Sequence, residues 1–276
     1  MRSIKAEIIA EAAAQAAIEA NTILPEDVYQ AIVRARELET SPRARQILDI
    51  LVENAELARR ERLALCQDTG LTVIDITIGQ DVHIEGSLAE ALNEGVRNGY
   101  RTGHFRSSVV GHPLDRMNTG DNTPCIIHTE IVPGDEFTMT VFPKGGGSEN
   151  MGRVAMLKPG AGSDGVADFV VQAVREAGGN PCPPLVVGVG IGGNMELAAY
   201  LAKKAIMRPI GQLGPNQGFE QELLAKINGL GIGPQGLGGL TTALGVNIET
   251  YPTHIASLPV AVNLGCHSTR RRTVTL

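Results

Sequence analysis

Tryptophan is absent from this 276-residue chain, and all aromatics together make up only 3%. Its core must therefore be filled by Ile, Leu, Val and Ala. No apolar run approaches the ~20 residues of a membrane span. Positive charge is not in excess either: 24 Lys and Arg face 30 Asp and Glu, a formal net charge of −6. That argues against nucleic-acid binding through a broadly basic surface. The opening stretch, MRSIKAEIIAEAA, sets Lys5, Glu7 and Glu11 among its apolar residues, unlike a signal peptide, so the expected location is cytoplasmic. Cysteine is scarce as well. Cys66, Cys125, Cys182 and Cys266 are the four, and no pair has C-x-x-C spacing, which speaks against a zinc ribbon or a thioredoxin-type site. In a reducing compartment they are expected as thiols rather than disulfides. Buried thiols, a nucleophile, or ligands gathered from far apart in the chain remain.

What is abundant is glycine, 33 residues where roughly 19 would be usual at ~7%. That implies many turns or a site built from backbone. Composition is otherwise ordinary for a globular protein, 43% hydrophobic and 20% charged. No linker, repeat or low-complexity segment is visible. The expectation is a single domain over 1–276, α+β (mixed α/β), with a helical N-terminal layer over 1–62 packed on mixed or antiparallel sheets.

Residues 4–20 are Ala- and Ile-rich without Gly or Pro and read as a helix. Pro25 can open a second one, with Val28, Ile32, Val33 and Ala35 on its apolar face. Ser41-Pro42 caps a third that carries Ile47, Leu48, Leu51, Val52 and Ala55. The stretch 71–78 alternates as a strand, with Thr72, Ile74, Ile76 and Ile78 on one face. Ser87-x-x-Glu90 is a capping box opening a helix to about residue 100. Residues 123–131 and 136–142 flank Pro133-Gly134-Asp135, which predicts an antiparallel hairpin. Further on, 166–176 reads as a helix, 185–189 as a strand, 195–207 and 219–227 as helices, and 229–239 as a glycine-rich loop. Two β-like stretches, 241–249 and 255–264, follow.

Gly188-x-Gly190-x-x-Gly193 matches the dinucleotide-binding pattern, but that use needs an acidic residue about 20 positions on. Residues 197–218 hold no Asp or Glu, so a capped turn or a helix N-terminus is the better reading. Lys144-Gly145-Gly146-Gly147-Ser148-Glu149-Asn150 is not a P-loop, since the lysine precedes the glycines; it offers backbone amides to a ligand or is simply a turn. Cys66, Cys182 and Cys266 sit at element ends beside Gly or Pro, where side chains can converge. Cys125, inside a β-like run, reads as a small buried hydrophobe. Three convergent thiolates would suit a [4Fe–4S] cluster with one iron open as a Lewis acid. His254 alone reads as a structural histidine. Arg270-Arg271-Arg272 reads as a solvated terminal run or a docking patch.

Taken together, Leu-Cys-Gln-Asp-Thr-Gly (65–70), Lys-Gly-Gly-Gly-Ser-Glu-Asn (144–150), Cys-Pro-Pro-x-x-Val-Gly-Val-Gly-Ile-Gly (182–192), Arg-Pro-Ile-Gly (208–211), Gly-Ile-Gly-Pro-Gln-Gly (231–236) and Gly-Cys-His (265–267) resemble the class I, iron–sulfur fumarate hydratases. The chain looks like the α subunit of their two-subunit form, with the α subunit of L-tartrate dehydratase as the near relative. The resemblance implies reversible hydration of fumarate to malate, a [4Fe–4S] cluster on Cys66, Cys182 and Cys266, and substrate contacts from Gln67, Arg106 and a backbone amide of Gly146 or Gly147. It further implies active-site roles for Asp68 and His254. In single-chain relatives a second domain carries the catalytic base. The resemblance therefore implies a separate β subunit, an α2β2-type assembly and a small dicarboxylate substrate, with no nucleic acid or membrane partner. The same chemistry on tartrate is the first alternative. A non-catalytic nucleotide-binding or cluster-based redox-sensing chain is the alternative of another class.

Overall fold

The structure, a computed structural model, describes residues 2–212 and 214–276. The chain divides into two compact units. The first comprises residues 1–25, 55–146 and 270–276; the second comprises 26–54 and 147–269.

In the first unit, β1 (Arg2–Lys5) leads directly into α1 (Ala6–Thr22). The initial residues expected as helix are thus strand, because they pair in parallel with β3 (Val82–Glu85). α1 packs along α4 (Leu88–Thr102) through small residues. A Cβ at Gly95 would stand 2.6 Å from the Ala10 carbonyl and the Ala13 methyl, and one at Gly99 2.7 Å from the Ala14 carbonyl. Alanine on one helix and glycine on the other let the backbones touch, which explains a core with few aromatics. Ser87 caps α4 by accepting from the Glu90 amide at 3.4 Å, as the capping box predicts.

These helices cover a four-stranded sheet of β2 (Leu71–Gly79), β4 (Ile126–Val132), β5 (Phe137–Lys144) and β10 (Arg272–Thr275), in the order β10-β5-β2-β4. Ile74, Ile76, Phe137, Met139 and Val141 form the buried face with Leu92, Val96 and Tyr100. The expected hairpin between 123–131 and 136–142 does not form. β2 lies between the two strands, parallel to β4 and antiparallel to β5. Ile74 and Ile76 are fully buried, so β2 is the strand this core needs at its centre, and the turn at Pro133–Asp135 joins its two neighbours across it.

In the second unit, β6 (Arg153–Leu157), β7 (Leu185–Gly193), β8 (Ala243–Thr253) and β9 (Leu258–Gly265) form a sheet ordered β6-β9-β7-β8. β7 is parallel to β8 and antiparallel to β9. Alternation along β7 sorts the helices. Val187 and Val189 face a core shared with Val170 and Val174 of α6 (Gly162–Ala177) and Leu223 and Ile227 of α8 (Gln217–Asn228). Gly188 and Gly190 face α7 (Met195–Met207), where a Cβ would stand 2.2 Å from the Ala202 carbonyl and 2.0 Å from that of Ala198. The glycine pattern thus serves helix packing inside a strand, and Asn194 caps α7 by accepting from Leu197 N at 2.9 Å.

The N-terminal segment is helical throughout α1 to α3, as expected, and is shared between the units. α1 lies in the first unit, α2 (Glu26–Leu38) in the second, and the boundary falls within α3 (Pro42–Glu61). α2 is tied to the second unit by its Asp27 carboxylate, which accepts from Ile210 N at 2.8 Å. Just beyond α2, the buried Glu39 accepts from Leu240 N at 2.8 Å. Arg208 is held by Glu220 and, at 3.1 Å, by Glu249, so the Arg-Pro-Ile-Gly motif starts from a buried ion-pair anchor.

Candidate functional site

In the first unit, Cys66, Gln67 and Asp68 lie on the loop between α3 and β2. Cys66 and Asp68 are half-buried and Gln67 is exposed. The loop is pinned by groups far away in sequence. Tyr100, 2% exposed, donates its hydroxyl to the Thr69 carbonyl at 2.6 Å. Asn122 donates to the Gly70 carbonyl at 3.1 Å. Thr69 Oγ1 donates to the Arg106 carbonyl at 2.6 Å, which brings the Arg106 segment beside the loop while the Arg106 side chain stays exposed. Arg270 Nη2 donates to the Asp68 carbonyl. Arg270 is 3% exposed and acts as a structural clamp, whereas Arg272, exposed and paired with Glu19 at 2.6 Å, opens β10. The solvated-run reading is corrected for Arg270, which is buried; Arg271 is half-buried and Arg272, in β10 beside β5, is exposed.

The Asp68 carboxylate reaches the glycine triplet. Oδ2 accepts from Gly146 N at 2.7 Å and Oδ1 from Gly70 N at 3.0 Å. A Cβ at Gly145 would stand 3.1 Å from the same carboxylate. The Gly146 amide is therefore engaged by the chain's own Asp68, and Gly147, also exposed, is the better placed to offer its N–H outward.

In the second unit, Cys182 is exposed and adopts a left-handed backbone, φ +55°, a conformation that persists in a non-glycine residue only when its surroundings impose it. Gln235 does so: its backbone N at 2.7 Å and its side-chain Nε2 at 3.0 Å both donate to the Pro183 carbonyl. The Gly-Ile-Gly-Pro-Gln-Gly motif thus holds the cysteine loop. The Cys182 carbonyl accepts from His267 N at 3.2 Å, which joins the Cys182 and Cys266 segments. Cys266, half-buried, has its sulfur 3.2 Å from Ser268 Oγ. A Cβ at Gly147 would stand 3.7 Å from the Asn180 carbonyl, two residues before Cys182.

His254 does not join this group. It is exposed at the turn between β8 and β9, its Nδ1 accepting from Ala256 N at 3.1 Å. Cys266 follows the other end of β9, about 26 Å away for eight residues at ~3.3 Å each.

None of the four cysteines is in a disulfide. Cys125 is buried, and burial pushes its thiol up to about 11, which makes it a poor ligand and a poor nucleophile. Among the described residues no group of three His, Cys, Asp or Glu side chains stands assembled around a metal position. Each of Cys66, Cys182 and Cys266 offers the soft sulfur donor that an iron–sulfur cluster takes, exposed or half-buried on a loop, and within the second unit Cys182 and Cys266 sit on hydrogen-bonded neighbouring segments.

The sequence matches the profile of the family described as "Fumarate hydratase (Fumerase)" over residues 10–275. The chain belongs to that family. Among its relatives, a Methanocaldococcus jannaschii protein named "Putative L(+)-tartrate dehydratase subunit alpha" is 42% identical over 263 residues, 92% of each chain. The L(+)-tartrate dehydratase subunit alpha of Escherichia coli strain K12 is 35% identical over 261 residues, 92% of this chain and 86% of the relative. That of Shigella boydii serotype 4 is similar to the same extent. For this fumarase-family chain, a motif reading passes over Tyr100 and Asn122, and it marks Gln235 and Arg270 without their role. They act on the site loops through backbone carbonyls, a role that no local pattern announces.

Proposed function

We propose that the chain is the α subunit of an iron–sulfur hydro-lyase that reversibly hydrates a small dicarboxylate, fumarate to malate, and that a β subunit completes its site. The observation that carries this reading is the family match through residues 10–275, which runs across both units and contains all three candidate cluster cysteines. It supports treating 1–276 as one hydro-lyase domain with Cys66, Cys182 and Cys266 as the ligands. When bound, a [4Fe–4S] cluster with an open iron supplies Lewis acidity.

The chain's own residues bind and orient. Arg106, exposed beside the 66–70 loop, offers a guanidinium fork to a substrate carboxylate. Gln67 and the Gly147 amide add neutral donors. Asp68, bound to two backbone amides, orders the glycine triplet and stands ready to exchange the Gly146 amide for a substrate hydroxyl. His254 on this chain acts away from Cys266, and a direct role in the chemistry is not assigned to it. The proton at the reacting carbon is left to the β subunit.

A second reading, dehydration of tartrate, is favoured by the names of the relatives at 35–42% identity. The nucleotide-binding reading loses its basis, because Gly188 and Gly190 are filled by α7. The test is anaerobic reconstitution with iron and sulfide, followed by turnover of fumarate, L-tartrate and methylated fumarates by the αβ complex. Cluster loss in Cys66→Ser, Cys182→Ser and Cys266→Ser, with retention in Cys125→Ser, supports the assignment; retention in any of the first three overturns it.

A further inference from the structure

Glu149 closes the Lys-Gly-Gly-Gly-Ser-Glu-Asn motif, yet no role in substrate contact falls to it. In the second unit its Oε2 accepts from Lys203 Nζ of α7 and, at 3.1 Å, from Asn263 Nδ2 of β9. Lys203 is an unusual donor. Its side chain is only 13% exposed, and burial pushes its ammonium below the usual lysine range while Glu149 pulls it back. Asn263 is 9% exposed and stands three residues before Cys266 on the strand that delivers it. The turn after Glu149 presses on the same strand. Gly152 N donates to the Glu149 carbonyl at 3.0 Å, and a Cβ at Gly152 would stand 3.3 Å from the Val262 carbonyl. Glu149 and Asn263 line a cavity of about 250 Å³ together with Arg153 and Ala202.

We infer that Lys203 and Asn263 are positioning residues that hold Glu149, and through it the Gly147 amide, in fixed register with the strand carrying Cys266. The inference rests on the hydro-lyase reading for its catalytic meaning. Asp68 fixes the front of the glycine triplet at the Gly146 amide, and Lys203 and Asn263 fix its far end. Glycine gives a chain little stiffness of its own, and α5 (Gly146–Glu149) is a single short turn; the Glu149 carboxylate, two residues beyond Gly147 and bonded on one oxygen by a helix and a strand, supplies the second restraint. Lys203 is largely buried and Glu149 is 43% exposed, so losing Glu149 leaves the lysine stranded while losing Lys203 loosens Glu149; a conservative exchange that keeps the bond is tolerated.

The experiment compares Lys203→Met, Lys203→Arg, Glu149→Gln and Asn263→Ala in the reconstituted αβ enzyme. Iron content, dicarboxylate kinetics and hydrogen exchange of residues 145–152 are read in each. Lys203→Met and Asn263→Ala should raise KM about ten- to a hundredfold, the range for residues that orient a ligand-bearing group, with kcat less affected and iron content unchanged. The same two should deprotect the 145–152 amides. Lys203→Arg should restore both readouts, and Glu149→Gln/Lys203→Met should be no worse than Lys203→Met alone. Unchanged exchange and KM in Lys203→Met overturn the inference. If that variant does not fold, unchanged values in Asn263→Ala overturn it equally. If the wild-type complex turns over none of the dicarboxylates, the hydro-lyase reading fails, and the exchange data still decide whether the triad fixes the segment.

Discussion

Replacing Tyr100 with phenylalanine removes one oxygen from beneath the candidate site and leaves the ring. The ring keeps its edge contact with Phe105, centroids 5.6 Å apart at 84°, so packing is preserved. What is lost is the hydroxyl that donates to the Thr69 carbonyl at 2.6 Å and accepts from Thr72 Oγ1 at 3.2 Å. Both partners are buried, and each stranded group costs about 1–3 kcal/mol. The variant should therefore be less stable by about 3 kcal/mol, or ~6–12 °C in Tm at ~2–4 °C per kcal/mol for a chain of this size. Adding Thr72→Val removes one stranded hydroxyl, so the double variant should be more stable than the sum of the single changes predicts. Urea unfolding of the four proteins in the cycle gives the answer. A loss below about 0.5 kcal/mol, or strict additivity, would refute the claim that this hydroxyl clamps the 66–70 loop. The same residue sets an alkaline limb. Burial raises the Tyr100 pKa above 10.0. Its contribution is complete below pH 10 and is lost as pH rises through the higher folded value. Wild type should lose stability above pH 10 more steeply than Tyr100→Phe.

Alkylation of the cluster-free chain at pH 8 should modify Cys182 first and leave Cys125 untouched until unfolding, given a Cys125 thiol pushed by burial to about 11; early Cys125 labelling on peptide mapping would contradict its placement. Partial burial pushes Asp121 up, but hydrogen bonds from Arg97 and Thr123 outweigh it and hold the carboxyl at about 2. Its stabilisation is present above pH 3.8 and fades as pH falls towards 2, so Asp121→Asn should lower Tm at pH 5 and leave it nearly unchanged at pH 2. Arg106→Lys keeps the charge and loses the planar fork, so kcat/KM of the complex should fall by at least tenfold with iron content intact; a normal rate would make Arg106 a surface residue.

Hydrophobic period and caps foretold most elements, since α4, α6, α7 and β2 each carry their signal locally. Pairing was less legible. The Pro133–Asp135 turn has the chemistry of a hairpin, but two flanking strands cannot reveal that β2, some fifty residues earlier in sequence, lies between them. β10 starts inside the arginine run and carries no apolar alternation to announce it, and the burial of Arg270 just before it has no local signal either. At the site, the motif glycines and cysteines were visible in sequence. Tyr100, Lys203 and Asn263, which restrain them, were not, and the restraining roles of Gln235 and Glu149 stayed hidden inside their motifs, because each bond joins groups remote in the chain. His254 shows the opposite limit: a spacing of twelve residues to Cys266 gives no hint that β9 runs out between them and holds the two apart.

The most direct test of the account is the anaerobic rate of dicarboxylate hydration by the cluster-loaded chain as β subunit is titrated in. The account predicts negligible turnover of fumarate and tartrate without it, rising to a plateau at one β chain per α chain. Substantial turnover by the 276-residue chain alone would contradict the split site and return the search for the base to Asp68 and its neighbours.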